Sequence, residues 1–115
     1  MKAPTQCVLW TKPKRAQGPK NERFELVEFY VDESHWRRYL LKCRECGQLY
    51  FYEFYETIDW EHGEDPQYST YVPVETAAEI EALKATDHFD LRQFSPRLQH
   101  DFPKDAKVPT VYWVR

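Results

Sequence analysis

Cys43 and Cys46, in the segment Cys43-Arg44-Glu45-Cys46-Gly47, are the residues of this chain whose type and spacing speak most directly of chemistry. Two cysteines at that spacing can turn both sulfurs toward one tetrahedral ion. The glycine that follows permits the positive φ that aims backbone amides at sulfur. The one other thiol, Cys7, and His35 would complete a Cys3His set for one structural Zn2+. A redox-active pair would usually open a helix, whose N-terminus lowers a thiol pKa. Here the pair stands between two β-prone runs, so redox chemistry is less expected than a metal, and the alternative to a metal is a reduced, partly buried pair that holds none.

Catalytic signatures are thin. The histidines at 35, 62, 88 and 100 are scattered, and three glycines make no phosphate-cradling loop. Ser34, Ser69 and Ser95 lack a nucleophile-elbow context. A small hydrolytic enzyme using His62 or His88 with nearby acids is therefore the last of three expectations, behind a binding protein and a metal-bearing module.

Charge is unevenly spread. The net charge is −3, yet residues 1–50 carry ten Lys and Arg against six acids, and residues 51–115 carry six against thirteen. The sharpest block holds Glu53, Glu56, Asp59, Glu61, Glu64 and Asp65 with no basic residue among them. Such a strip repels phosphate and attracts basic protein surfaces. With Trp60 as an aromatic anchor and Tyr68 beside it, the strip is the expected partner-binding surface. Lys12, Lys14, Arg15 and Lys20 form a basic N-terminal loop, which leaves nucleic acid as the less expected partner.

The elements that must position these groups follow from pattern. Aromatics make up 17% of 115 residues, which excludes wholesale disorder. Strands are expected at 7–10, 23–31, 36–42, 48–56, 68–74 and 108–114, the last at an edge because of Pro109. The runs at 36–42 and 48–56, joined by the cysteine segment, read as a β-hairpin. Five aromatics in the six positions from Tyr50 to Tyr55 fit a central strand buried on both faces. Mixed apolar faces suggest that 23–31 is covered on both sides, at least in part. Thr76 and Glu79 spell a capping box for one main helix at about 77–85. Ser95-Pro96 resembles a second helix start, for a turn at about 96–100. The expected class is α+β: one domain over 1–115, with a mostly antiparallel sheet of about five or six strands.

The segment from Cys43 to Gly47, with the aromatic run starting at Tyr50, resembles one knuckle of a zinc ribbon or rubredoxin-like site. That resemblance covers about ten residues and implies a metal knuckle alone, because the second cysteine pair of a ribbon is missing. In size, charge and aromatic content the chain is similar to the small acidic immunity proteins that bacteria encode beside secreted toxins. This implies an inhibitor that presents carboxylates where a nuclease expects phosphate. An odd number of cysteines argues for a reducing compartment. No apolar run approaches the ~20 residues of a membrane span, and Lys2, Pro4 and Gln6 break any secretory signal. A cytoplasmic, non-enzymatic protein-binding module is the leading expectation.

Overall fold

Six runs of alternating side chains build one antiparallel sheet in the computed structural model, which describes residues 1–63 and 65–115. An arm precedes the sheet: helix α1 (Val8–Thr11), a 3-10 turn (Pro13–Ala16) and helix α2 (Lys20–Arg23). Strands β1 (Phe24–Asp32), β2 (Trp36–Cys43), β3 (Leu49–Glu56) and β4 (Gln67–Val74) follow. Helix α3 (Ala77–Lys84) and a second 3-10 turn (Asp90–Gln93) lead to β5 (Arg97–Phe102) and β6 (Thr110–Val114). Each strand pairs with its sequence neighbour, giving the order β1-β2-β3-β4-β5-β6. The α+β layout therefore holds with the sheet dominant, and α3 is the one α-helix longer than four residues among those described.

Successive side chains of a strand point to opposite faces, so each face of the sheet has its own core. On one face Tyr39, Tyr52, Tyr71, Leu98 and Trp113 lie side by side across β2 to β6. The arm packs there, burying Cys7, Leu9 and Ala16 against Phe24, Leu41, Tyr50 and Tyr52. On the other face α3 sets Leu83 and Ile80 over Leu40, Phe51, Val72 and Val74. The capping box starts α3 as expected: the Thr76 hydroxyl accepts from Glu79 N, and the Glu79 carboxylate accepts from Thr76 N. β3 is buried on both faces from Tyr50 to Glu53, in keeping with its central place.

The far end of the α3 face is polar. Arg38, Glu53, Thr70, Gln99 and Tyr112 form one row across five strands. Arg38 Nε donates to Glu53 Oε2 at 2.7 Å, and both side chains are 2% exposed. The rest of the guanidinium donates to the carbonyls of Leu83, Thr86 and Asp87 and to the Thr86 hydroxyl. These acceptors lie at the C-terminal end of α3, where carbonyls lack helical partners. One buried ion pair thus fastens the helix to the sheet.

Three expectations need correction. The strand expected at 7–10 is instead the start of a helix, with Cys7 as N-cap and α1 running Val8–Thr11, since Trp10 N donates to Cys7 O and Lys12 N to Val8 O. The segment crosses over the Tyr50 face to bury Leu9, a placement that β propensity does not encode. The helical turn expected at 96–100 is strand β5: Leu98 faces the arm while Gln99 faces the other way, and both β4 and β6 pair with it. A local cap signature lost to two full ladders of sheet hydrogen bonds. Strand β1 is not covered on both sides; it is an edge with two register shifts, and Phe29 is 56% exposed. Irregular edges of this kind discourage pairing with another chain.

Removing one partner from a buried ion pair strands the other charge. Arg38→Ala is expected to lower unfolding stability by about 3–5 kcal/mol in urea titrations. A loss below about 1 kcal/mol would show that the pair does not fasten α3.

Candidate metal centre

Three elements bring the thiols together. Cys7 directly precedes α1 and is held by its N–H donating to Pro4 O at 2.9 Å. Cys43 ends β2, where its N–H donates to Gln48 O at 2.8 Å to close the hairpin. Cys46 sits in the tight turn between them. Gly47 follows with φ of 82°, a left-handed conformation that favours glycine, and its N–H donates to Cys43 O at 2.8 Å. The turn is braced from outside by Arg44 Nε donating to Asn21 O and by an Arg23–Glu45 ion pair at 2.8 Å.

The sulfurs of Cys7, Cys43 and Cys46 all lie within 4.8 Å of one another. With Zn–S bonds of about 2.3 Å, a tetrahedral ion holds its sulfurs about 3.8 Å apart. The cluster needs only small side-chain adjustments to reach that spacing. Cys7 and Cys43 are buried and Cys46 is exposed, so the site has an entry side.

The thiols are electrostatically unequal. Burial pushes the Cys43 thiol up, but the N–H groups of Cys46 and Glu45 and the adjacent thiols favour its thiolate, and the balance lies below the usual value. Those amides aimed at sulfur are what a glycine-terminated knuckle should supply. Burial pushes Cys7 up to about 12. Burial, then the neighbouring Cys7, drives Tyr50 well up as well, so its hydroxyl stays protonated. That hydroxyl is buried with no hydrogen-bond partner. An orphaned donor beside Cys7 fits a sulfur that carries negative charge, as a metal-bound thiolate does. The residues present therefore fit a soft divalent cation.

His35 does not belong to this cluster. Strand β2 runs eight residues between His35 and the knuckle, which at about 3.3 Å per residue puts them at opposite ends of the sheet. Its Nδ1 lies 2.7 Å from Glu56 Oε1 instead.

The acidic strip is broken up by the fold. Glu53 is 1% exposed and bound to Arg38, Trp36 Nε1 and Phe89 N, so it takes no part in any surface. Glu56 is engaged by His35 and by Gln67 Nε2 at 2.7 Å. Asp59 organises its own loop: Oδ1 accepts from Glu61 N and His62 N, and Oδ2 pairs with Lys104 at 3.2 Å. Burial opposes its charge, but those partners outweigh it and hold its pKa below the usual value. Asp65 Oδ1 accepts from Asp59 N at 2.8 Å. Tyr68 packs half-buried against Phe89 and Arg92. Glu61 is exposed, Trp60 is 92% exposed, and Glu64 lies outside the described residues. His62 approaches Asp59 and Lys104, while His88 stacks on Tyr55, so the two share no site.

Sequence reading missed Tyr50 as a companion of the thiols and Arg38 as the partner of Glu53. Both were findable by hairpin register. Counting back five residues from Cys43 and on five from Gln48 sets Arg38 opposite Glu53, and the same alternation puts Tyr50 on the Cys43 face.

No family model matches this chain, and no curated protein or solved structure matches it.

The thiols should differ in reactivity. Brief iodoacetamide treatment of the metal-free protein at mild alkaline pH is expected to modify Cys46 first, with Cys7 protected by burial and its raised pKa. Peptide mapping that found Cys7 modified as fast as Cys46 would contradict the arrangement.

Proposed function

We propose that this protein is a non-enzymatic binding module whose N-terminal arm is stapled to its sheet by one Zn2+ on Cys7, Cys43 and Cys46. The observation that carries this reading is the convergence of three sulfurs from two distant parts of the chain within 4.8 Å. When bound, the ion supplies a cross-link and no reaction. Cys43 and Cys46 would hold it from the knuckle and Cys7 from the arm, and the unpartnered Tyr50 hydroxyl would be free to donate to the metal-bound Cys7 sulfur.

A staple has physical work to do here. Helices α1 and α2 span four residues each, far below the length at which a helix holds itself in water. The arm is ordered by what it buries and by what ties it down. Trp113 Nε1 donating to Leu9 O at 2.6 Å is one tie, and the metal is the second. Thiolate ligation also goes with a reducing compartment, in keeping with a cytoplasmic setting.

Metal analysis tests this directly. Protein purified without a tag is expected to carry one Zn2+ by native mass spectrometry. Cys43→Ser is expected to lose the ion and to melt at least about 5 °C lower, because 1 kcal/mol moves the midpoint of a domain this size by several degrees. A metal-free wild type whose melting matches that of Cys43→Ser would refute the staple.

A second reading concerns the loop around Trp60. Gly63 N donates to Asp59 O and Asp59 accepts from Glu61 N and His62 N, so a turn over residues 59–63 presents a 92% exposed tryptophan beside Glu61. Such a residue costs little entropy to bury and is a favoured interface anchor. Its partner is a protein with an apolar socket rimmed by basic side chains, and an inhibitor of a basic toxin domain is one form of that role. With such a partner bound, Trp60→Ala should weaken Kd at least about tenfold. Glu61→Lys should slow association most at low salt. Wild-type binding by both variants would remove the loop from the interface.

A further inference from the structure

The three-thiolate set leaves one corner of a tetrahedron open. We infer that this corner belongs to the carboxylate of Glu75, which makes the centre a Cys3Glu site that also anchors the start of α3. The inference rests on the metal reading above and deepens it by naming the fourth ligand.

Placement comes first. Leu49 pairs with Lys42 on one side and with Val74 on the other. One residue further, Gln48 stands just before β3 and Glu75 just after β4, with Cys43 N donating to Gln48 O. If the β4 alternation carries on by that one residue, Glu75 lies on the opposite face from Val74, which is the face that carries Cys43 and Tyr50. A surface pocket is lined jointly by Cys7, Cys46, Gln48 and Glu75, so Glu75 and two of the three cysteines border the same space.

Chemistry narrows the choice. Zn2+ takes cysteine, histidine and carboxylate ligands, and amides rarely serve. Of the polar side chains that line the pocket with the thiols, Gln6 and Gln48 are amides, and Gln48 Nε2 already donates to Leu49 O and Val74 O. Glu75 is the single carboxylate lining it. It is exposed, and its carboxylate makes no hydrogen bond or ion pair with the described residues. Its backbone N–H is fixed, donating to Glu79 Oε1 at 2.8 Å within the capping of α3. A fixed backbone with an uncommitted carboxylate lets the side chain swing to the ion without disturbing the fold.

The consequence is mechanical. Arg38 holds the C-terminal end of α3, and a Glu75-bound ion would hold the residue just before its N-cap Thr76. The arm, the knuckle and the β4–α3 junction would share one cross-link.

Cobalt serves as the probe, because the intensity and position of its visible bands report coordination number and ligand type. Reduced, metal-free wild type titrated with Co2+ is expected to bind one ion in a tetrahedral site. Glu75→Gln is expected to bind at least about tenfold more weakly, with weaker and shifted bands, since even changing a residue that only hydrogen-bonds a ligand costs about 10–100-fold. Glu75→His, which restores a ligand, is expected to regain affinity with bands of a three-sulfur, one-nitrogen set. Circular dichroism of the metal-free variants should match wild type, because Glu75 supports nothing else. Wild-type affinity and an unchanged spectrum in Glu75→Gln would overturn the inference. If Cys46→Ser lost the ion in that same case, the three-thiolate reading would survive and only Glu75 would fall. Failure of wild type to bind Co2+ at all would overturn both.

Discussion

A buried guanidinium is costly unless nearly every N–H finds an acceptor, and the Arg38 side chain meets that demand by joining the sheet to α3. Glu53 neutralises it from the next strand, and the carbonyls ending α3 absorb the remaining donors. The second Glu53 oxygen accepts from Phe89 N at 3.0 Å, which fixes the chain as it leaves the helix. Everything beyond the helix inherits its position from this contact. The 3-10 turn that buries Leu91 follows directly, and β5 enters the sheet after it. Across β4, β5 and β6 a second set of polar side chains is bonded together. The Thr70 hydroxyl donates to Gln99 Oε1, Gln99 Nε2 donates to Asp101 Oδ1, and the Tyr112 hydroxyl donates to Asp101 Oδ2. A satisfied network of this kind rigidifies and admits one register only.

The two faces of the sheet are thus secured by different physics. The α3 face is held at its polar end by charge-assisted hydrogen bonds and elsewhere by aliphatic side chains packed around Phe51. The arm face is aromatic, with Phe24 stacked on Tyr71 and Tyr52 tilted against both Tyr39 and Tyr71. Aromatic surface of that size needs a cover, yet the cover is three single turns of helix. Its thiol corner and the Trp113 contact are where it is pinned. This division of labour explains why the cysteines sit with the arm and not in the polar row.

Much of this was legible beforehand, and the failures share a cause. The hairpin, the capping box and the doubly buried β3 rest on interactions within a few residues of one another, so local pattern suffices. Glu53 was misread because its sign matched the loop that follows, while its partner lies fifteen residues earlier across a strand. His35 was grouped with the thiols by nearness in sequence, although an extended strand carries it to the other end of the sheet. Cys7 was placed with the knuckle as the one remaining thiol, in an expected strand where the structure has the start of α1. A strand there would have added to a sheet edge, whereas burial of Leu9 and Ala16 required the segment to lie across the face.

Sequence by itself determined the strand periods, the turn at Gly47 and the start of α3, because each depends on backbone chemistry within a few residues. It also determined that this chain owns one knuckle and one further thiol. Only the tertiary structure decided that the third sulfur reaches the other two, that Glu53 is a buried counterion while Glu56 pairs with His35 and Asp59 organises its own turn, and that Trp60 stands clear in solvent. Those outcomes depend on which distant surfaces bury each other. Burial free energy is non-directional and nearly blind to residue order, so it is settled by the packing of the whole chain.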